Sequence, residues 1–173
     1  MGAVLTEDEL EFDFTQAIKA ERLDDETQKL SHCMKSVDFY VEWPYEFWFI
    51  EIKNPEHTKI PLSIKKKELK KFLNKISSET LFSNELGPKI KDSFLYLYLM
   101  NRLPQKTIKY YVLIAIQTLD PALLLFANDR LKSASCLLGP DQSAWPNAYV
   151  DGIGVFNEET WNDYFTQCPV DKT

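Results

Sequence analysis

The chain has 173 residues, 45% of them apolar and 27% charged. That balance suits one globular domain with a sizeable core, and it excludes a disordered chain, a collagen-like repeat and a small disulfide scaffold. Lysine and arginine total 20 against 26 aspartates and glutamates, a net charge of −6, so the chain taken whole repels polyphosphate. Cys33, Cys136 and Cys168 are widely spaced with no Cys-x-x-Cys pair, which reads as reduced thiols in a cytoplasmic protein. With only His32 and His57 present, a His/Cys zinc site is not expected. Residues 1–12 are acidic, unlike a secretory signal, and no apolar run approaches the roughly 20 residues of a membrane helix, so no membrane partner is expected.

Phe14, Ala17 and Ile18 have helical spacing and predict an amphipathic helix near 9–23. Residues 37–43 alternate at period two. Pro44 breaks the run, a second one rich in aromatic and β-branched residues covers 47–53, and Asn54-Pro55 stops it. Two strands joined tightly are expected there. Leu69, Phe72, Leu73 and Ile76 form a helical stripe within 63–77, with Lys67, Lys71 and Lys75 on the opposite face. Gly87-Pro88 is expected to end one helix and start the next, which runs to about Arg102. A buried strand follows over 107–117. Asp120-Pro121 caps a helix to about Leu131. A last strand over 149–156 and a closing helix over 158–165 complete the chain. The long helical segment between the second and third strands can act as a crossover joining them in parallel. The whole chain, 1–173, thus reads as a single α/β domain with a central mixed β-sheet flanked by helices.

The hairpin's register has a chemical consequence, because a one-residue slip moves every side chain to the other face. Pairing residues whose numbers sum to 89 sets Asp38 opposite Glu51, Tyr40 opposite Phe49 and Glu42 opposite Phe47. The other face then collects Val37, Phe39, Val41, Trp48, Ile50 and Ile52, all apolar. A slip of one mixes polar and apolar residues on both faces, so segregation selects the first register. It brings two carboxylates side by side, with Lys53 two residues on along the same face. Opposed carboxylates repel and make sense with a cation between them. Two such oxygen donors suit Mg²⁺ or Mn²⁺, which keep several waters. The bland alternative is a solvated strand face with a weak ion pair. Phe47 and Phe49 share that face and argue for partial burial, where unpaired carboxylates are costly.

Charge is uneven along the chain. Residues 59–75 hold seven lysines and one acid, a net +6, which leaves −12 for the remainder. A solvated helix face and a patch that tracks a nucleic-acid backbone are equally good readings of that segment. The patch would include Lys67, Lys71 and Lys75.

Asp38, twelve intervening residues and Glu51-Ile52-Lys53 resemble the motif of the PD-(D/E)xK nuclease superfamily, which has the restriction-endonuclease-like fold. Residues 34–42 also look like uncharacterised prokaryotic members. The resemblance implies a metal-dependent nuclease that hydrolyses phosphodiester bonds, with DNA favoured over RNA. Asp38 and Glu51 would be metal ligands with the Ile52 carbonyl, and Lys53 the catalytic lysine. A non-catalytic module of the same fold, binding nucleic acid or a protein partner, is the alternative. Many such nucleases are homodimers. Members often add an acid from the first helix, for which Glu11, Asp13 and Glu21 are candidates. Asp24 and Asp25 lie closer to the acid strand. Members also carry a strand before the acid strand, whereas residues 27–36 here are short and polar.

Overall fold

The expected hairpin forms the middle of the molecule. In a computed structural model, which describes residues 1–24, 34–116, 119–137 and 145–173, the strands are β1 (Val4–Glu7), β2 (Leu10–Asp13), β3 (Lys19–Arg22), β4 (Phe39–Glu42), β5 (Glu46–Lys53), β6 (Thr107–Ile114), β7 (Gly152–Phe156) and β8 (Val170–Lys172). The α-helices are α1 (Leu62–Ser77), α2 (Gly87–Leu99), α3 (Pro121–Ala134) and α4 (Glu158–Tyr164). β3, β4, β5, β6 and β7 line up in that order as a five-stranded sheet. Its first three strands are antiparallel and its last three parallel. The parallel steps use α1 and α2, then α3, as crossovers, as parallel pairing requires. The protein is therefore mixed α/β with a mixed sheet. Among the described residues no helix is long and apolar enough to cross a membrane.

From Phe39 to Glu42 the β4–β5 register is the expected one, with Tyr40 opposite Phe49 and Glu42 opposite Phe47, but the ladder stops short of the expected Asp38–Glu51 pair, since Asp38 precedes β4. Both faces of the sheet are covered, which explains the dense apolar run in β5. One face carries Tyr40, Phe47, Phe49, Tyr110, Val112 and Ile114 under Ile76 of α1, Ile90 of α2 and Leu131 of α3. The other carries Phe39, Val41, Trp48, Ile50 and Leu113 against Phe12, Trp161 and Phe165. Val37 departs from expectation: it packs with Tyr40 and Phe49, because the chain bends at Asp38 before β4 begins.

The N-terminal helix expected at 9–23 is absent. β1 and β2 form a hairpin, β8 pairs with β2 in a separate three-stranded sheet, and β3 joins the main sheet beside β4. Leu10, Phe12 and Phe14 are fully buried at alternate positions, whereas Ile18, counted toward a helical stripe, is half exposed. Period two overrides the weaker helical spacing. β3 also supplies a strand before the acid strand. Of the stretch 27–36, residues 27–33 lie outside the described residues and 34–36 form no strand.

Gly87-Pro88 does not break the helix. A five-residue π turn, Phe82–Leu86, runs straight into α2, and Leu81, Leu86 and Gly87 all have right-handed helical dihedrals. Proline lacks an N–H and crowds the carbonyl four residues back, here Asn84, and the wider π turn makes room for it. That carbonyl instead accepts a hydrogen bond from Lys35 Nζ at 2.5 Å. Asp120 caps α3 as expected, accepting from Leu123 N at 2.8 Å. The last helix begins with a capping box between Asn157 and Thr160. β7 is shorter than the expected 149–156 and is not the last strand, since β8 follows α4.

Candidate functional site

Asp38 is placed by contacts from three elements. Its backbone carbonyl accepts from Leu23 N at 2.9 Å. The residue before it, Val37, donates its N–H to Ser93 Oγ on α2 at 2.9 Å. Its own carboxylate Oδ2 accepts from Ile52 N at 2.6 Å, so the side chain takes over a ladder bond at the strand end. Strand geometry puts the Ile52 carbonyl on the same edge as its N–H, toward Asp38.

Glu51 is fully buried and Asp38 is 6% exposed. Two ammonium groups reach Glu51 Oε1, Lys89 at 2.6 Å and Lys53 at 2.9 Å. Lys89 also stands 3.7 Å from Asp38 Oδ1, and Lys53 3.6 Å from Glu85. Glu51 Oε2 is buried with no hydrogen-bond partner. Burial, and then the neighbouring Glu51, push the Asp38 carboxyl up to about 8, although Lys89 and the Ile52 N–H pull the other way. Burial works against the Lys53 ammonium, yet Glu51, Asp38 and Glu85 outweigh it and raise its pKa.

These groups open into a cleft of about 310 Å³. Its carboxylates are Glu7, Asp8, Asp38, Glu51, Glu68 and Glu85, and its lysines are Lys53, Lys71, Lys75 and Lys89. Six acids against four bases leave a formal −2. Lys71 and Lys75 thus border the cleft, with Lys75 bonded to Glu85 at 2.6 Å. Lys67 is exposed and does not line it.

The candidate additional acids are not on a helix and do not join the pair. Glu11 and Asp13 point outward from β2, and Asp13 bonds Thr15. Glu21 on β3 meets Tyr40, Arg102 and Lys19. Asp25 lies outside the described residues. Asp24 is within electrostatic reach of Asp38 and Glu51, and burial, then Glu7, raise its carboxyl.

Three features escaped the sequence reading. Lys89 lies on α2, beside the buried Ile90 and one turn before Ser93, and only that inward stripe hints at it. The β1–β2 turn brings Glu7 and Asp8 to the cleft, with Asp8 and Glu9 both at positive φ (46° and 67°), a conformation disfavoured for such residues. The turn is pinned by Asn54 Nδ2 donating to the Asp8 carbonyl at 2.7 Å and by Thr58 N donating to Glu9 at 2.8 Å. His57 also lines the cleft, and its Nδ1 is covered without a partner.

A divalent metal fits the pair on chemical grounds. An unpartnered buried carboxylate oxygen is costly, and a cation satisfies it. Among the described residues no three His, Cys, Asp or Glu side chains converge to cage a metal by themselves. Two carboxylates and a backbone carbonyl suit an ion that retains much of its water. No family model, curated protein or solved structure matches the chain.

Proposed function

We propose that the protein is a metal-dependent nuclease of the PD-(D/E)xK type, hydrolysing phosphodiester bonds, with DNA favoured over RNA. Asp38, Glu51 and the Ile52 carbonyl hold Mg²⁺ or Mn²⁺, and Lys53 is the catalytic lysine. The observation that carries the reading is the buried carboxylate pair with one oxygen unpartnered. Support for the restriction-endonuclease-like fold comes from the order of β4, which Asp38 immediately precedes, the E-x-K strand β5, a helical crossover and the parallel strand β6, with β3 ahead of them.

A cation held there polarises a phosphate oxygen and lowers the pKa of a bound water. Lys53 keeps its proton in this acidic surrounding and stabilises charge building on the phosphate. Lys71 and Lys75 on the cleft wall follow the nucleic-acid backbone.

Purified protein with Mg²⁺ or Mn²⁺ is expected to cut DNA, and Lys53→Ala and Glu51→Ala are each expected to lower the rate by about 10²-fold or more. Variants that cut as fast as the parent trace the cleavage to a contaminant and sink the reading. A second reading, a non-catalytic nuclease-fold module, is favoured by one feature: two lysines already compensate Glu51. A cleft that takes up no Mn²⁺ at millimolar concentration decides for the module.

A further inference from the structure

We infer that Lys89 is the resident counter-ion of the Asp38–Glu51 pair, that an incoming divalent cation takes its place, and that the displaced ammonium stays in the cleft to meet the substrate's phosphate. The inference rests on the metal-centre reading above and adds the step by which the centre is loaded.

Lys89 and Lys53 differ in where they stand. Lys53 lies between Glu51 at 2.9 Å and Glu85 at 3.6 Å, toward the π turn. Lys89 lies between the two carboxylates themselves, 2.6 Å from Glu51 Oε1 and 3.7 Å from Asp38 Oδ1. An ion shared by Asp38 and Glu51 comes up against that ammonium, and two cations so close repel. The lysine has somewhere to go. Its side chain is 21% exposed, it borders the cleft, and the Asp24 carboxylate is within electrostatic reach. The motion belongs to its flexible four-carbon stem, because α2 itself is held by the Val37–Ser93 bond and by close packing of Gly87 on Ala134.

Charge agrees with displacement. A divalent ion by itself neutralises the Asp38 and Glu51 carboxylates. Lys89 then has no carboxylate pair to neutralise and is a spare cation beside the phosphate that the ion attracts. Loading is therefore a competition, and removing the competitor should tighten metal binding.

The test is Mn²⁺ binding to the full-length, metal-free protein, followed by the electron paramagnetic resonance signal of free aqueous Mn²⁺. Lys89→Met is expected to bind Mn²⁺ about tenfold more tightly than the parent, near 1.4 kcal/mol, with Lys89→Arg close to the parent. In cleavage assays Lys89→Met is expected to be slower despite its fuller metal occupancy. Mn²⁺ binding by Lys89→Met that equals or is weaker than the parent's overturns the inference and leaves the metal-centre reading standing. No binding to parent or variant at millimolar Mn²⁺ overturns both. Should Lys89→Met fail to fold, the parent protein labelled with ¹⁵N-lysine gives the same answer. Saturating Mg²⁺ is expected to shift the Lys89 Nζ resonance, and an unmoved resonance overturns the inference.

Discussion

Asp38 carries an energetic conflict that is specific to the metal-free protein. Its carboxyl is raised from 3.8 to about 8 by burial and by Glu51. A carboxyl that holds its proton better folded than unfolded costs nothing below the unfolded value. It costs progressively more as pH climbs toward the folded one, because the native state then binds more protons than the unfolded chain. The metal-free protein is therefore expected to lose stability between about pH 4 and pH 8. Asp38→Asn removes the charge and keeps the oxygen that accepts from Ile52 N. It is expected to stabilise the metal-free protein by about 1–2 kcal/mol at pH 8, a rise of about 3–6 °C in Tm, with little change at pH 5. Thermal melts at the two pH values check this, and an equal shift at both would mean that charge is not the cause. The approach of Asp38 to Glu51 was legible in the sequence, since apolar segregation fixed the register of 39–42 against 47–50, although Asp38 itself stands before β4. Lys89 was not, because a contact across 38 residues of chain leaves no local pattern. The additional acids were misplaced for a different reason: Glu11 and Asp13 were assigned to a helix that is two strands.

At the scale of elements, the site depends on α2 sitting close to both the sheet and α3. Gly87 has helical dihedrals, so its role is not conformational freedom. A Cβ at Gly87 would stand 2.5 Å from the Ala134 carbonyl oxygen on α3 and 3.0 Å from that of Phe82. Backbone atoms cannot yield as a side chain does. Gly87→Ala is therefore expected to destabilise the protein by about 1–3 kcal/mol through overpacking, measured as a lower denaturation midpoint with an unchanged slope. Because α2 carries Lys89 and Ser93, the same change should weaken the placement of Asp38. Gly87-Pro88 looked like a boundary because proline normally ends a helix. Only the π turn, with the Asn84 carbonyl satisfied from elsewhere by Lys35, lets the helix continue. Elements with strong periodicity, such as α1 and β5, were legible, as was the cap of α3. The β1–β2 hairpin was missed because its turn, Asp8-Glu9, holds positive φ without the glycine or asparagine that announces such turns.

Across the whole molecule, a sheet buried on both faces makes the polar opening at Asp38 and Glu51 stand out among the described residues. Asp38 and Glu51 interrupt a helix-covered face otherwise made of Tyr40, Phe47, Phe49 and Tyr110. Apolar residues in their place would make a simpler core, and a buried charged pair in a cleft supports the proposed site. The charge pattern points the same way. A segment of +6 follows the pair in a chain that is otherwise −12, and acids outnumber lysines in the cleft lining. A polyanion is repelled from such a cleft until a cation loads it, so nucleic-acid contact should be local and metal-dependent. The most direct test is anomalous scattering from crystals soaked in Mn²⁺. The account predicts one peak beside Asp38, Glu51 and the Ile52 carbonyl, with Lys89 moved off Glu51. Well-ordered crystals that show no peak there, with Lys89 still on Glu51 at high Mn²⁺, would contradict it.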